Sequence, residues 1–157
     1  MTVMSKPAPT FADTLEVRDA CLCLHVQRAA RALARRFDQA LAPAGLTNGQ
    51  FSLLMALNRP SPPPISAVAA VLGQDRTTVT AALKPLARRG LVEPFPDPED
   101  RRSRLLRLTD AGTQRLAEAL PIWRSEHAAV EAELSSPADG LRFDLVTLSS
   151  SFAARPA

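Results

Sequence analysis

The chain has no tyrosine, a single tryptophan and two cysteines, and aromatic residues fill only 4% of its 157 positions. Two cysteines do not build a disulfide framework. His25 and His127 are the only histidines and share no ligand spacing, so we expect no metal site and no cofactor. No apolar run approaches the roughly 18–20 residues of a membrane span, and the stretch Met1–Pro9 holds no signal-peptide core. We therefore expect a cytoplasmic protein with no membrane partner. No glycine-rich phosphate loop or Ser-His-Asp pattern stands out, so no catalytic residue is assigned and an enzyme is not expected. Charge of one sign is scarce too: 19 Lys and Arg stand against 16 Asp and Glu, a formal +3.

What is present is more directive. Apolar residues make up 46% of the chain, enough for the core of one compact domain. The small positive excess is concentrated. Between Gln74 and Arg107 there are eight Lys and Arg against five Asp and Glu, and the remainder is balanced at eleven against eleven. A basic segment on a nearly neutral chain is the footprint of a nucleic-acid contact.

That segment reads as a helix with marked ends. Asp75 is a good N-cap, and Gly90 accepts the left-handed conformation that stops a helix. Between them Val79, Leu83 and Leu86 recur on a 3.6-residue period and form one apolar stripe. The opposite side carries Thr77, Ala81, Lys84 and Arg88, with Arg76, Thr78 and Thr80 nearby. Small residues let a backbone approach DNA, hydroxyls reach base edges, and cations meet phosphates. A shorter helical pattern, Ile65, Val68, Ala69 and Leu72, ends at Gly73 just before it, which is the helix-turn-helix arrangement. After Gly90, two short strands enclose a stiff charged turn. Pro94, Pro96 and Pro98 favour a short hairpin with an irregular tip. Such a wing would bring Arg101, Arg102 and Arg104 toward a minor groove, or pair them with Asp97 and Asp100.

The rest of the chain builds a frame. Residues 1–9 lack periodicity and read as a mobile tail. Leu15, Leu22, Val26, Leu33, Phe37 and Leu41 share one face of a long helix, from Thr10 or Asp13 to Leu41, which is too long for one small core and predicts a second subunit. Thr47 or Asn48 caps a helix to Asn58 that buries Phe51, Leu54, Met55 and Leu57. The proline-rich run from Arg59 to Pro64 is a stiff connector. Thr109 caps a helix to about Leu134, with half a capping box because Gly112 stands where Glu would. Pro121 should bend that helix. A last helix, Pro137 to about Phe152, presents Leu141, Leu145 and Leu148.

Several of these segments carry a family resemblance. The run Asp97-Pro98-Glu99-Asp100-Arg101-Arg102-Ser103-Arg104, followed by Leu108-Thr109-Asp110-Ala111-Gly112, resembles the wing of the multiple antibiotic resistance regulator (MarR) family. Gly45-Leu46-Thr47-Asn48-Gly49-Gln50-Phe51 and Asp75-Arg76-Thr77-Thr78-Val79 match its usual pattern as well. The resemblance covers roughly Leu15 to Leu134. It implies a mainly α (α+β) fold: a winged helix-turn-helix at 46–109 with a two-stranded β wing, and dimerisation helices at 10–42 and 110–153, all in one domain spanning 10–153. It implies a homodimer on double-stranded DNA with a palindromic operator, a transcriptional regulator and most simply a repressor, released or retuned by a small-molecule effector or an oxidant. A ligand pocket is expected near Phe37, Phe51 and Trp123.

Cys21 and Cys23, if both lie on one helix, point about 200° apart and cannot bridge. The bland reading of Cys23, on the flank of the apolar stripe, is a small buried hydrophobe. The resemblance offers another. In the organic hydroperoxide regulator branch of the family a reactive cysteine lies 24 residues before the Thr of the Leu-Thr turn, as Cys23 does before Thr47. That branch places tyrosines near its thiolate, where this chain has Gln27 and Phe37. Two further alternatives are a winged-helix module that docks on protein without binding DNA, and a small thiol enzyme; no Cys, Arg and Thr constellation around Cys23 supports the enzyme.

Overall fold

The computed structural model describes residues 8–100 and 102–153, without the side chains of 151–153. Arg101 and residues 1–7 of the expected tail lie outside the described residues. A boundary between two compact units falls after Arg36, and each unit is taken by itself.

The first unit corrects the expected long helix. There are two helices, α1 (Phe11–Ala20) and α2 (Leu22–Leu41), separated at Cys21. Cys21 is extended, at φ −73° and ψ 104°, and its N–H bonds the Val17 carbonyl at 3.0 Å to close α1. Its sulfur then accepts the N–H of Leu24 at 3.5 Å, the place a cap side chain takes at a helix start. No glycine or proline announces this break; a thiol in the capping position makes it. α1 starts on a full capping box between Thr10 and Asp13, yet none of its residues is buried.

In the second unit α2 ends at Leu41 in a tight turn, Ala42–Ala44, closed by Gly45 at φ 65°. Helix α3 (Asn48–Leu57) has the reciprocal box of Thr47 and Gln50, and the Asp38 carboxylate accepts the Asn48 N–H at 2.7 Å as well. It touches α4, α5, α6 and β2, so Leu53 and Ala56 are buried along with Phe51, Leu54 and Leu57. Met55, expected inside, is 37% exposed because it faces the one side that those neighbours leave open. The connector does more than space two helices. Pro63 accepts the Leu106 N–H at 3.0 Å and Pro64 bridges Leu105, so the prolines lie alongside the wing as a fragment of a third strand.

Helix α4 (Ile65–Leu72) stops at Gly73, φ 61°, and α5 (Arg76–Arg88) follows with Asp75 as its cap. Strands β1 (Val92–Pro96) and β2 (Arg104–Leu108) pair antiparallel, Val92 opposite Leu108 and Pro96 opposite Arg104. Helix α6 (Asp110–Ala132) runs uninterrupted through Pro121. Thr109 caps it, accepting the Gly112 N–H at 3.0 Å and donating its own proton to the Gly90 carbonyl at 2.6 Å. The missing half of the capping box has a steric cause: a Cβ on Gly112 would lie 2.0 Å from the Leu91 carbonyl oxygen. Helix α7 (Ala138–Ala153) leaves Leu141, Leu145 and Leu148 at least 40% exposed.

The core sits where α2 ends and α3, α4, α5 and β2 converge. Leu41, Leu53, Leu54, Val68, Val79, Leu86 and Leu106 are its most completely buried large side chains. Each contributes on the order of 1.5–3 kcal/mol by leaving water, and together they hold α5 against the unit. No helix among the described residues is long and apolar enough to cross a membrane.

Candidate nucleic-acid interface

Helix α5 begins where a carboxylate satisfies its free amides. Asp75 accepts the Thr78 N–H at 2.8 Å and the Thr78 hydroxyl at 2.7 Å. The Thr78 amide first, and its hydroxyl second, hold the Asp75 carboxyl below the usual carboxylate range. Val79, Leu83 and Leu86 turn inward and are buried, so the period leaves Arg76, Thr77, Thr80, Ala81, Lys84 and Arg88 facing outward, all exposed.

The three threonines are not equivalent, which the pattern of faces did not distinguish. Thr78 gives its proton to the cap, and Thr80 gives its own to the Arg76 carbonyl at 2.7 Å. Both hydroxyls keep acceptor lone pairs but have no proton free to donate. Among the described residues the Thr77 hydroxyl has no hydrogen-bond partner, so it can donate or accept at a base edge. The cations Arg76, Lys84 and Arg88 are likewise in no ion pair among the described residues.

The described residues of the wing tip depart from the salt-bridged alternative. Asp97 accepts the backbone N–H of Glu99 at 2.9 Å, and Asp100 accepts that of Arg102 at 3.0 Å. These carboxylates brace the turn through its amides, as Asx turns do. The expected pairing of Asp100 with the Arg102 guanidinium is replaced by this backbone bond. Arg102 and Arg104 are exposed and in no ion pair among the described residues. Arg107 is the opposite case: it pairs with Glu93 at 2.8 Å and its guanidinium carbon lies 4.9 Å from the centre of the Phe95 ring. The basic segment thus divides into cations bound within the fold and cations left facing solvent.

Of the three residues expected to line a ligand pocket, two come together. The rings of Phe51 and Trp123 stack with centroids 6.0 Å apart, and the His127 ring stacks on Trp123 at 4.6 Å. Phe51, Met55, Val71, Leu120 and Trp123 line a cleft of about 390 Å³. Phe37 is buried in the core and does not line it. A second cleft, about 410 Å³, lies where α5 meets the wing, with Thr80, Lys84 and Arg104 on its walls.

In the first unit Cys23 is exposed and Cys21 half-buried. The expectation of a buried Cys23 fails for the chain as it stands. The Gln27 amide donates to the Cys23 sulfur at 3.2 Å, and its carbonyl accepts from Arg31 at 3.3 Å. A hydrogen-bond donor therefore does stand beside this sulfur, an amide in place of a tyrosine phenol. Because Cys21 lies outside both helices, the helical geometry that separated the two thiols does not apply. No group of His, Cys, Asp or Glu among the described residues is arranged to hold a metal ion.

Comparison with known proteins agrees with this geometry. The sequence pattern described as the MarR family matches residues 46–103, which run from the turn before α3 to the wing tip. No curated protein matches the chain. The transcriptional regulator MosR of M. tuberculosis, solved in complex with DNA, is 36% identical, with 85% of this chain and 97% of that one covered and a TM-score of 0.78. The transcriptional repressor CouR, bound to a 23-mer DNA duplex, is 29% identical over 95% of this chain and 99% of its own, with a TM-score of 0.71. A mutant MarR from E. coli, complexed with operator DNA, shares the fold at 22% identity and a TM-score of 0.76, over 85% of this chain and 97% of its own.

Proposed function

The chain belongs to the MarR family, and from that membership we propose that it is a homodimeric, cytoplasmic regulator of transcription, acting as a repressor on a palindromic operator. The observation that carries this reading is the outward face of α5. It offers one uncommitted hydroxyl, Thr77, flanked by the unpaired cations Arg76, Lys84 and Arg88, beside a wing whose Arg102 and Arg104 are free of the nearby carboxylates. Two copies enter successive major grooves about one helical turn apart, and the wings follow the flanking minor grooves. An effector that changes the separation of the two reading helices breaks the register with the half-sites. The cleft against Phe51 and Trp123 is apolar and aromatic, the lining that suits a small planar ligand.

The test is a duplex selected by the protein from a random pool. Arg101→Ala, Arg102→Ala and Arg104→Ala should each weaken binding to every sequence and lower the slope of log K against log salt by about one unit. Thr77→Ala should alter base preference and leave that slope alone. Parent-like binding in all four variants would mean that another face of the protein does the work.

A second reading, oxidant sensing through Cys23, is favoured by its exposure and by the Gln27 amide on its sulfur. A hydroperoxide would transfer its outer oxygen to the thiolate, leaving a sulfenic acid and an alcohol; the Gln27 amide stands within hydrogen-bond reach of that sulfur. Peroxide-driven release of DNA should then be absent in Cys23→Ser. If release is unchanged in that variant, Cys23 has no sensing role.

A further inference from the structure

Two neighbouring arginines at the end of α5 are used differently. Arg88, the last helical residue, is exposed and meets no partner among the described residues. Arg89, the C-cap, is exposed too but turns its guanidinium back along the surface and donates to the Gly45 carbonyl at 2.9 Å, across 44 positions of sequence. From α6, Arg115 donates to the adjacent Ala44 carbonyl at 3.1 Å. Both acceptors belong to the turn that closes α2. A helix end leaves carbonyls without partners and concentrates negative potential there, and a guanidinium, with several donors in a rigid plane, answers both needs.

We propose that Arg89 and Arg115 form a clamp that sets the register of the reading helix against the end of α2, and that Arg89 is a positioning residue for DNA recognition with no phosphate contact of its own. The apolar stripe of Val79, Leu83 and Leu86 presses α5 onto the core, but apolar burial is non-directional. It sets which side of α5 faces outward and resists lifting of the helix more than sliding along its axis. The Arg89–Gly45 hydrogen bond is directional and acts at one end, so it fixes where α5 sits along that axis. Gly45 is suited to the role because it holds φ 65°, a backbone conformation that side chains rarely adopt.

The inference rests on the DNA-binding reading, and one experiment separates the two. Affinities are measured over a range of salt for three duplexes: the palindrome that the parent selects, the same palindrome with one base pair inserted between its halves, and an unrelated sequence. Arg88→Ala should lose about one unit of salt slope and weaken all three alike. Arg89→Ala should keep the parental slope and its affinity for the unrelated duplex, bind the palindrome about tenfold more weakly, and discriminate less against the inserted base pair. Arg89→Lys, which retains a donor, should recover discrimination. A fall of about one unit in slope for Arg89→Ala, or no loss on the palindrome, overturns the clamp. Should that variant fail to fold, Arg115→Ala carries the same test, and parental spacing discrimination in it overturns the proposal. A parent that selects no duplex sinks the DNA reading itself, and the clamp with it.

Discussion

Helices α1 and α5 both use a carboxylate to satisfy backbone amides at their start, and they have opposite fates. In α5, Asp75 is the cap of a helix that buries Val79, Leu83 and Leu86. In α1, Thr10 is the cap and Asp13, in the first turn, completes the box, on a helix none of whose residues is fully buried, with Phe11 75% and Val17 58% exposed. A cap decides where a helix starts; the apolar stripe decides whether the helix is held. α1 is fully capped at its start and none of its residues is buried, as expected of a segment that packs on a second subunit.

The sharpest way to break the comparison is to truncate one apolar residue in each helix. Leu86→Ala, at a fully buried site, should cost about 2–5 kcal/mol of unfolding free energy in urea titration. Val17→Ala should be nearly silent at dilutions where the chain is monomeric. Equal effects would mean that α1 is held as firmly as α5. Next in size is assembly. Leu148→Asp puts a charge among the exposed apolar residues of α7, twice in a symmetric pair, and should weaken association by about tenfold or more in sedimentation. Unchanged association would remove α7 from the dimer arm.

Gly112→Ala comes third. The added methyl meets the Leu91 carbonyl oxygen at 2.0 Å, so α6 must shift away from the end of α5. Overpacking of this kind costs about 1–3 kcal/mol, read as a drop in thermal midpoint. A matched Gly140→Ala in α7, where nothing lies within 4 Å of the new Cβ, should leave it unchanged.

Gly112 also marks a limit of reading from sequence. The segment from Ile65 to Thr109 was legible because its signals are local: Asp75 and Gly90 bound α5, a 3.6-residue period gives its buried stripe, and prolines bound the wing. Gly112 was read as a defective capping box because the carbonyl it accommodates is twenty-one positions upstream and appears only on folding. The break at Cys21 was invisible for another reason: it uses a residue with no reputation as a helix breaker. At the site, outward faces were predictable, but the side chains' internal commitments were not. Thr78 and Thr80 have their protons tied to Asp75 and Arg76, Arg107 is tied to Glu93, and Arg89 reaches back to Gly45. Of the nine cations and hydroxyls expected at the interface, those bonds commit the protons of Thr78 and Thr80, and they set Arg107 and Arg89 apart from the neighbouring cations that face solvent.

The smallest expected effect is the most selective test of α1 against α5. Both cap carboxyls are held below the usual range, Asp13 by the Thr10 amide and then its hydroxyl, Asp75 by the Thr78 amide and then its hydroxyl. A folded-state pKa below the unfolded one adds stability that is fully present above the unfolded value and disappears as pH falls through the folded one. For Asp75 that stability belongs to the cooperative unit, so Asp75→Ala should flatten the acid limb of global unfolding, measured by urea titration from neutral pH down past the carboxylate range. Asp13 completes the capping box of a helix none of whose residues is fully buried, so Asp13→Ala should leave the same limb unaltered and appear only as faster amide exchange in α1. If Asp13→Ala flattens the acid limb as much as Asp75→Ala does, then α1 unfolds together with the reading helix, and an arm that joins the cooperative unit so closely is not a segment waiting for a partner.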